Sequence, residues 1–364
     1  MPTGVSRGAP WAESAHSRSG LSEVELHQLV AQNRSLFIGL GGASILITGA
    51  TGWFGVWLVD LLCVADAILG LGIRIVAISR EPDRFLRRFP GFVGDSRITW
   101  IKADVRELET SRQSFSHVIH AAADTKAQPN SDAEAVLFAT IVEGTRWAIA
   151  AAGSRCKSVL MLSSGAIYGR AIAESSCFVE SDSMDPDTAS VRSAYANGKR
   201  AAEQLGAFAA ADGVPVRIAR CFAFVGPHMP FDKHFAIGNF IADAVRGQPI
   251  LVKSDGCPQR SYLYMTDLMR ALLTILSEGI VGRPYNVGSD EAVSIEALAR
   301  CVDRVVGGAG VKIAGAPSDP RDRYVPDITR LKAELHFVQE VALESAITRT
   351  AAWYREKIFR PVSL

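Results

Sequence analysis

The sequence predicts an α/β protein built on a doubly wound parallel sheet, on three observations. Short apolar runs alternate with longer helical segments from residue 44 onward, the intervening helices are long enough to cross a sheet face, and the first run ends in a glycine-spaced turn that opens a helix. The runs are Ser44–Thr48, Ile73–Ile78, Ile98–Ile101, His117–His120, Ser158–Leu162 and Val216–Ala219. The crossover helices fall at about 53–69, 132–152 and 194–212. After Gly226-Pro227 the alternation weakens into helices near 235–247, 266–277 and 294–306 with a strand near 250–253, which predicts a smaller C-terminal region.

Ahead of the sheet, Ser22 with Glu25 three residues on reads as a capping box, and Val24, Leu26, Leu29 and Val30 give a short amphipathic helix that packs on the outside. The first twenty residues are rich in Ser, Gly, Ala and Arg and lack the apolar stretch of a secretory signal, so they read as a disordered tail. No run approaches the ~18 apolar residues of a membrane span, because Asp60, Asp66 and glycines interrupt the longest candidate.

The balance of 39 basic against 38 acidic residues leaves a formal charge of +1, so no global field draws in nucleic acid or an anionic membrane. Any anionic ligand must be met locally. Six cysteines (63, 156, 177, 221, 257 and 301) stand far apart with no C-x-x-C pair, which predicts no metal site and no disulfide scaffold, and fits reduced cytoplasmic thiols.

The clearest chemical signal is the turn from Thr48 to Gly55. Gly49 makes the tight turn, Gly52 lets backbone approach a diphosphate and Gly55 lets the helix pack on the strand, while the helix amino terminus offers unpaired N–H groups to the anion. This is the Rossmann arrangement, and it places Thr51, Trp53 and Phe54 beside a dinucleotide cofactor as well. At the end of the second strand Ser79 and Arg80 favour NADP by offering donors to a 2′-phosphate, while Glu81 keeps NAD open because it would reach a free ribose. Asp104 and Val105 after the third strand, and Ala121, Ala122 and Ala123 after the fourth, complete the expected cofactor bed. His120 reads as a packed structural histidine.

Tyr195 and Lys199, four apart at the start of a helix, share one face, where the ammonium would favour the phenolate and bond the nicotinamide ribose. Ser164 follows the fifth strand at the carboxyl edge, within reach of the same substrate oxygen.

Together these residues resemble the extended short-chain dehydrogenase/reductase family, whose nucleotide-sugar branch holds epimerases, dehydratases, decarboxylases and ketoreductases. Residues 48–55 look like the family's TGxxGxxG turn, 163–169 like its serine strand, and Tyr195 with Lys199 like its YxxxK pair. Arg220–Pro227 is similar to RxFNVYGP, Arg260–Asp267 to RDFxYVxD, and Tyr285–Gly288 to YNxG. The likeness spans roughly residues 43–340. It implies a cofactor-binding Rossmann domain over 41–225, a mainly substrate-binding region over 226–364, and a tail with a short helix over 1–40. It also implies a nucleotide-sugar substrate, met by Ser164, Thr125, Ala223, Asn239, Arg260 and Arg323, with Phe222 against the cofactor.

Three departures narrow the chemistry. Sugar dehydratases of the family carry an acidic pair, and decarboxylases a glutamate, before the hydrophobic-Tyr-Gly of the serine strand; here Gly165 and Ala166 stand there, which disfavours elimination and decarboxylation. Ala223 and Ile141 each replace an asparagine usual in the family. The expectation is therefore an NADPH-dependent reductase of a 4-keto-6-deoxy nucleotide sugar, with a 4-epimerase as the alternative. A 4,6-dehydratase and a non-catalytic NADP-sensing regulator follow behind. Alanine-rich helices at 132–152 and 194–212 predict a homodimer through a four-helix bundle.

Overall fold

The computed structural model describes residues 15–106, 114–122, 131–169, 177–182, 186–231, 235–316 and 322–359. The chain opens with α1 (Glu23–Gln32) and α2 (Arg34–Ile38). It then alternates through β1 (Ser44–Thr48), α3 (Trp53–Leu69), β2 (Arg74–Ser79), α4 (Pro82–Arg88), β3 (Ile98–Lys102), β4 (His117–His120) and α5 (Ser131–Ala152). From there it runs through β5 (Ser158–Ser164), α6 (Ala194–Ala211), β6 (Val216–Cys221), β7 (Phe224–Val225), α7 (Ala236–Val245), β8 (Ile250–Val252), β9 (Gln259–Arg260) and β10 (Leu263–Tyr264). It closes with α8 (Met265–Glu278), β11 (Pro284–Val287), β12 (Val293–Ser294), α9 (Ile295–Val306), β13 (Val311–Ile313), β14 (Arg323–Tyr324), α10 (Thr329–Leu335) and α11 (Leu343–Phe359).

Seven strands form one sheet in the order β11-β6-β5-β4-β1-β2-β3. Every pair in it is parallel. The six expected strands are present, and the seventh, β11, falls where the sequence was read only as a turn. Because β11 pairs with β6 and α8 packs on the sheet, two elements from beyond residue 225 complete the first layer.

One sheet face is covered by α3 and α8 with α1 outside them, the other by α5 and α6. Every residue of α3 from Gly55 to Ala65 is buried, since the helix lies between the sheet and a second helix layer and so is apolar all round. Each large side chain in that run, such as Trp57 or Leu58, contributes about 1.5–3 kcal/mol by leaving water. A third core joins α7, α9 and α11 over β8 and β10.

Two expectations need correction. The first twenty residues do not all form a loose tail: Ala15 and Ser19 are buried, and residues 17–19 wrap the carboxylate of Asp60. The Ser17 and Ser19 hydroxyls donate to Asp60 Oδ2 at 2.7 and 2.6 Å, and the Arg18 and Ser19 amides donate at 2.9 and 3.1 Å. A fully buried carboxylate inside an apolar helix demands such donors, and the segment supplies them. Second, Asp132–Ala152 is long and apolar enough by composition to cross a membrane, although no uninterrupted apolar run is present; about half of that window is buried, on α6 and the sheet. All six cysteines are free.

Candidate functional site

Parallel pairing puts the carboxyl ends of β1, β4 and β5 side by side, so Thr48, His120 and Ser164 share one edge of the sheet. The direction of strand order reverses between β1 and β4, and such a switch opens a crevice outside the sheet edge.

The glycine turn follows β1. Gly49 has φ 71°, and a Cβ there would meet the Ala121 carbonyl at 2.7 Å, so only glycine lets the strand β4 exit cross above it. A Cβ at Gly55 would lie 2.3 Å from the Gly49 carbonyl oxygen, which fixes how closely α3 packs on its own turn. In front of this turn lies a cavity of about 430 Å³ lined by Gly49, Thr51, Gly52, Ser79 and Arg80, and continuing over Asp104, Val105, Ala121 and Ala122. Nine of the residues expected to hold a dinucleotide therefore come together, with the α3 amino terminus aimed among them. Thr51 and Ser79 bond each other through their hydroxyls at 3.0 Å, while Asp104 accepts from Arg106 at 2.8 Å and is held below the usual carboxylate range chiefly by that bond.

Trp53 and Phe54 face elsewhere. The indoles of Trp53 and Trp57 both donate to the Pro227 carbonyl, at 2.8 and 3.1 Å, and Phe54 meets Phe224 edge-on at 5.2 Å. These rings join the turn to the C-terminal region. Ala123 and Thr125 lie outside the described residues.

Two arginines that sequence reading missed, Arg84 and Arg88, line the same cavity beside Arg80. They are four apart on α4 and share a face. Glu81 pairs with Arg84 at 3.3 Å, and Arg88 is pushed down by burial and then by the neighbouring Arg84 charge. A cluster of guanidiniums that repel one another favours an anion between them.

The second cluster surrounds Ser164. Tyr195, on the first turn of α6, has its phenol pushed above the ordinary range by burial, partly offset by the Ser164 hydroxyl it faces. Lys199 is buried, with Nζ donating to the Leu162 carbonyl at 2.6 Å and standing 6.0 Å from the Tyr195 ring centre. Burial lowers it to about 8. The expected lowering of the tyrosine by the lysine is therefore not what this arrangement gives: the ammonium is engaged by a backbone carbonyl, and desolvation of the phenol wins. His120 is structural as expected, with Nδ1 at 2.8 Å from Thr48 Oγ1 and Nε2 at 3.2 Å from Thr145 Oγ1, and burial takes it down to about 3.

Two further side chains complete this cluster, and neither was singled out in the sequence. Cys221, at the end of β6, is a buried thiol pushed up to about 12. Tyr324, on β14, reaches across from the C-terminal region; its ring lies 4.8 Å from that of Phe222, and its hydroxyl would stand 2.7 Å from a Cβ at Gly165. No acidic side chain stands at 165 or 166, ahead of Tyr168, where Gly165 and Ala166 lie. Glu203 lies behind the edge instead, bonded to Ser163 and to Arg220, which in turn donates to Tyr168 at 2.8 Å.

Of the expected substrate contacts, Arg260 on β9 is the register partner of Tyr324 on β14, so the two share a face. Arg260 pairs with Asp322 at 3.0 Å. Arg323, one residue along, points to the other face, donates to the Gln259 side-chain oxygen and keeps a buried Nε–H with no partner among the described residues. Ala223 and Asn239 are half-buried at the start of the C-terminal region, on either side of Pro227.

Residues 45–288 match the NAD dependent epimerase/dehydratase family. Over 323 residues the chain is 27% identical to UDP-glucuronic acid decarboxylase 1 of Arabidopsis thaliana, covering 88% of this chain and 72% of that one. UDP-glucose 4-epimerase of Thermotoga maritima, solved with UDP-glucose, has a similar fold with a TM-score of 0.71 at 18% identity, over 86% of this chain and 99% of the other. UDP-glucuronic acid 4-epimerase of Bacillus cereus, solved in complex with NAD, has a TM-score of 0.70 at 19% identity, over 88% and 99%.

Proposed function

Because the chain belongs to the NAD dependent epimerase/dehydratase family, we propose that it reduces a keto group on a nucleotide-linked sugar with NADPH, a 4-keto-6-deoxy sugar fitting the site best. The observation that carries this reading is the absence of an acid before Tyr168: Gly165 and Ala166 stand there, and the space is taken by the Tyr324 hydroxyl and the Phe222 ring. Eliminating water needs an acid and a base beside the sugar ring. What remains is proton transfer at one carbinol or carbonyl oxygen.

A bound nicotinamide dinucleotide supplies the hydride. Its diphosphate suits Gly49, Gly52 and the α3 amino terminus, and a 2′-phosphate suits Arg80, Arg84 and Arg88, with Glu81 already engaged by Arg84. Tyr195 delivers the proton to the substrate oxygen from its hydroxyl, and its raised pKa keeps that proton in place until the oxygen becomes basic. Ser164 holds the same oxygen. Lys199 places positive charge beneath both, ready for the phenolate left behind. Arg260 offers charge to the nucleotide phosphates on the Tyr324 side.

The same residues serve a 4-epimerase, which also needs no added acid. The two are separated by NADPH absorbance on adding 4-keto-6-deoxy sugars linked to UDP, dTDP, CDP or GDP. Stoichiometric loss is expected; inversion at C4 without net loss assigns the epimerase, and release of carbon dioxide from UDP-glucuronate sinks the reading. Tyr195→Phe should abolish turnover while leaving NADPH binding intact.

A further inference from the structure

We propose that Glu203 is a positioning residue for Lys199: its carboxylate clamps the face of α6 that carries Tyr195 and Lys199 onto Ser163 and Arg220, at the ends of β5 and β6. The proposal rests on the roles given above to Tyr195, Ser164 and Lys199.

The clamp is built from three elements. Tyr195, Lys199 and Glu203 follow one another at four-residue steps on α6, so they lie along one side of the helix. Side chains alternate along a strand, and Val159 and Met161 on β5, like Val216 and Ile218 on β6, pack in the core beneath α5 and α6; Ser163 and Arg220 continue that face. The two are direct partners in the parallel pairing. Both donate to Glu203: the Ser163 hydroxyl to Oε1, and the Arg220 guanidinium to both oxygens, at 3.1 Å from Nε to Oε1 and 2.8 Å from Nη2 to Oε2. Arg220 Nη1 donates in turn to the Tyr168 hydroxyl and the Glu180 carbonyl, at 2.8 and 2.9 Å, so the guanidinium is itself held in place. The Arg220 and Glu203 side chains are each 12% exposed, and a carboxylate so poor in water is fixed by the donors it has.

This bears directly on the reacting groups. Lys199 Nζ bonds the Leu162 carbonyl and Glu203 bonds the Ser163 side chain, so two successive turns of α6 are tied to two successive residues of β5, and Ser164 comes next. The spacing of Ser164, Tyr195 and the ammonium is thereby set from behind. The other titratable groups around Lys199 bring no charge at neutral pH: burial holds His120 on β4 down at about 3 and Cys221 on β6 up at about 12, and raises the Tyr195 phenol on the same helix. The carboxylate paired with Arg220 therefore favours the ammonium one turn away, against the burial that brings it down to about 8.

The test labels lysine at ¹³Cε, identifies the Lys199 signal by its loss in Lys199→Met, and follows that signal against pH without substrate. Glu203→Gln keeps the shape of the side chain and removes its charge, and Lys199 is expected to titrate at lower pH than in wild type. Ser163→Ala removes one donor of the clamp without leaving a buried charge unpaired, and should move the titration the same way by less. Asp60→Ala, on the opposite sheet face, loosens the fold away from the site and should leave it in place. A Lys199 titration unmoved in Glu203→Gln, or moved as far by Asp60→Ala, overturns the proposal. Should Glu203→Gln fail to fold because Arg220 is left unpaired, Ser163→Ala decides by the same criterion.

The kinetic arm uses whichever nucleotide sugar the wild type turns over. Glu203→Gln should lower kcat roughly 10-fold with KM within about 2-fold, and its loss of activity on the alkaline side should begin at lower pH. A kcat equal to that of wild type across the pH range overturns the proposal. If no sugar is turned over, the reductase reading fails while the lysine titration still decides the role of Glu203.

Discussion

Replacing Lys199 by methionine should stabilise the empty protein while removing its activity. Lys199 is 4% exposed and its pKa is lowered from 10.5 to about 8, so folding takes a charged amine out of water at neutral pH. A fall from 10.5 to about 8 corresponds to a penalty of about 3 kcal/mol at pH 7. Methionine keeps the length and removes the charge, and the Leu162 carbonyl loses one donor at a cost of about 1–2 kcal/mol. The net expectation is a gain of about 1–2 kcal/mol. The sign with pH follows from proton counting: between about 8 and 10.5 the unfolded lysine binds more protons than the folded one, so wild-type stability rises with pH in that window. The variant's advantage should therefore shrink by about 2 kcal/mol between pH 7 and pH 10. Urea unfolding of both proteins at the two pH values measures this, and turnover at pH 7 should fall at least ~100-fold. An advantage that stays constant with pH, or a variant less stable than wild type at pH 7, refutes the argument that burial dominates the state of Lys199.

Three other outcomes are expected. Arg84→Ala and Arg88→Ala should each weaken NADPH binding by roughly 10-fold and leave NADH unchanged, measured by fluorescence titration. Asp60→Ala should cost about 2–4 kcal/mol in urea unfolding and open residues 17–19 to protease, because the hydroxyls and amides gathered on that carboxylate lose their acceptor. Gly165→Ala should displace Tyr324 and Phe222, lowering stability by about 1–3 kcal/mol in urea unfolding.

Much of the sheet and one half of the site were legible in the sequence for the same reason. The glycine turn, the serine strand and the tyrosine–lysine pair are local patterns, and parallel strands deliver their ends to one edge wherever the loops run. The parts that escaped depend on distant partners. β14 is two residues long and exists because it pairs with β9, so no periodicity announces Tyr324. The one available signal was the small residue at 165, which reads as a lost acid until the ring that fills the space is known. Arg84 and Arg88 read as ordinary surface charge on a short helix until α4 folds over the cavity. Residues 15–20 have the composition of a loose tail, and only the buried Asp60 explains why they are held.

The placement of β11 bears on how the protein is made. The outer edge of β6 is sealed by residues 284–287, which leave the ribosome long after the six strands they complete. Until then a growing chain exposes a row of unpaired amides and carbonyls along Val216–Cys221, the kind of edge that recruits other chains. Premature termination anywhere before residue 284 should therefore yield clumping, chaperone-bound fragments, whereas chains stopped after it carry a sealed sheet.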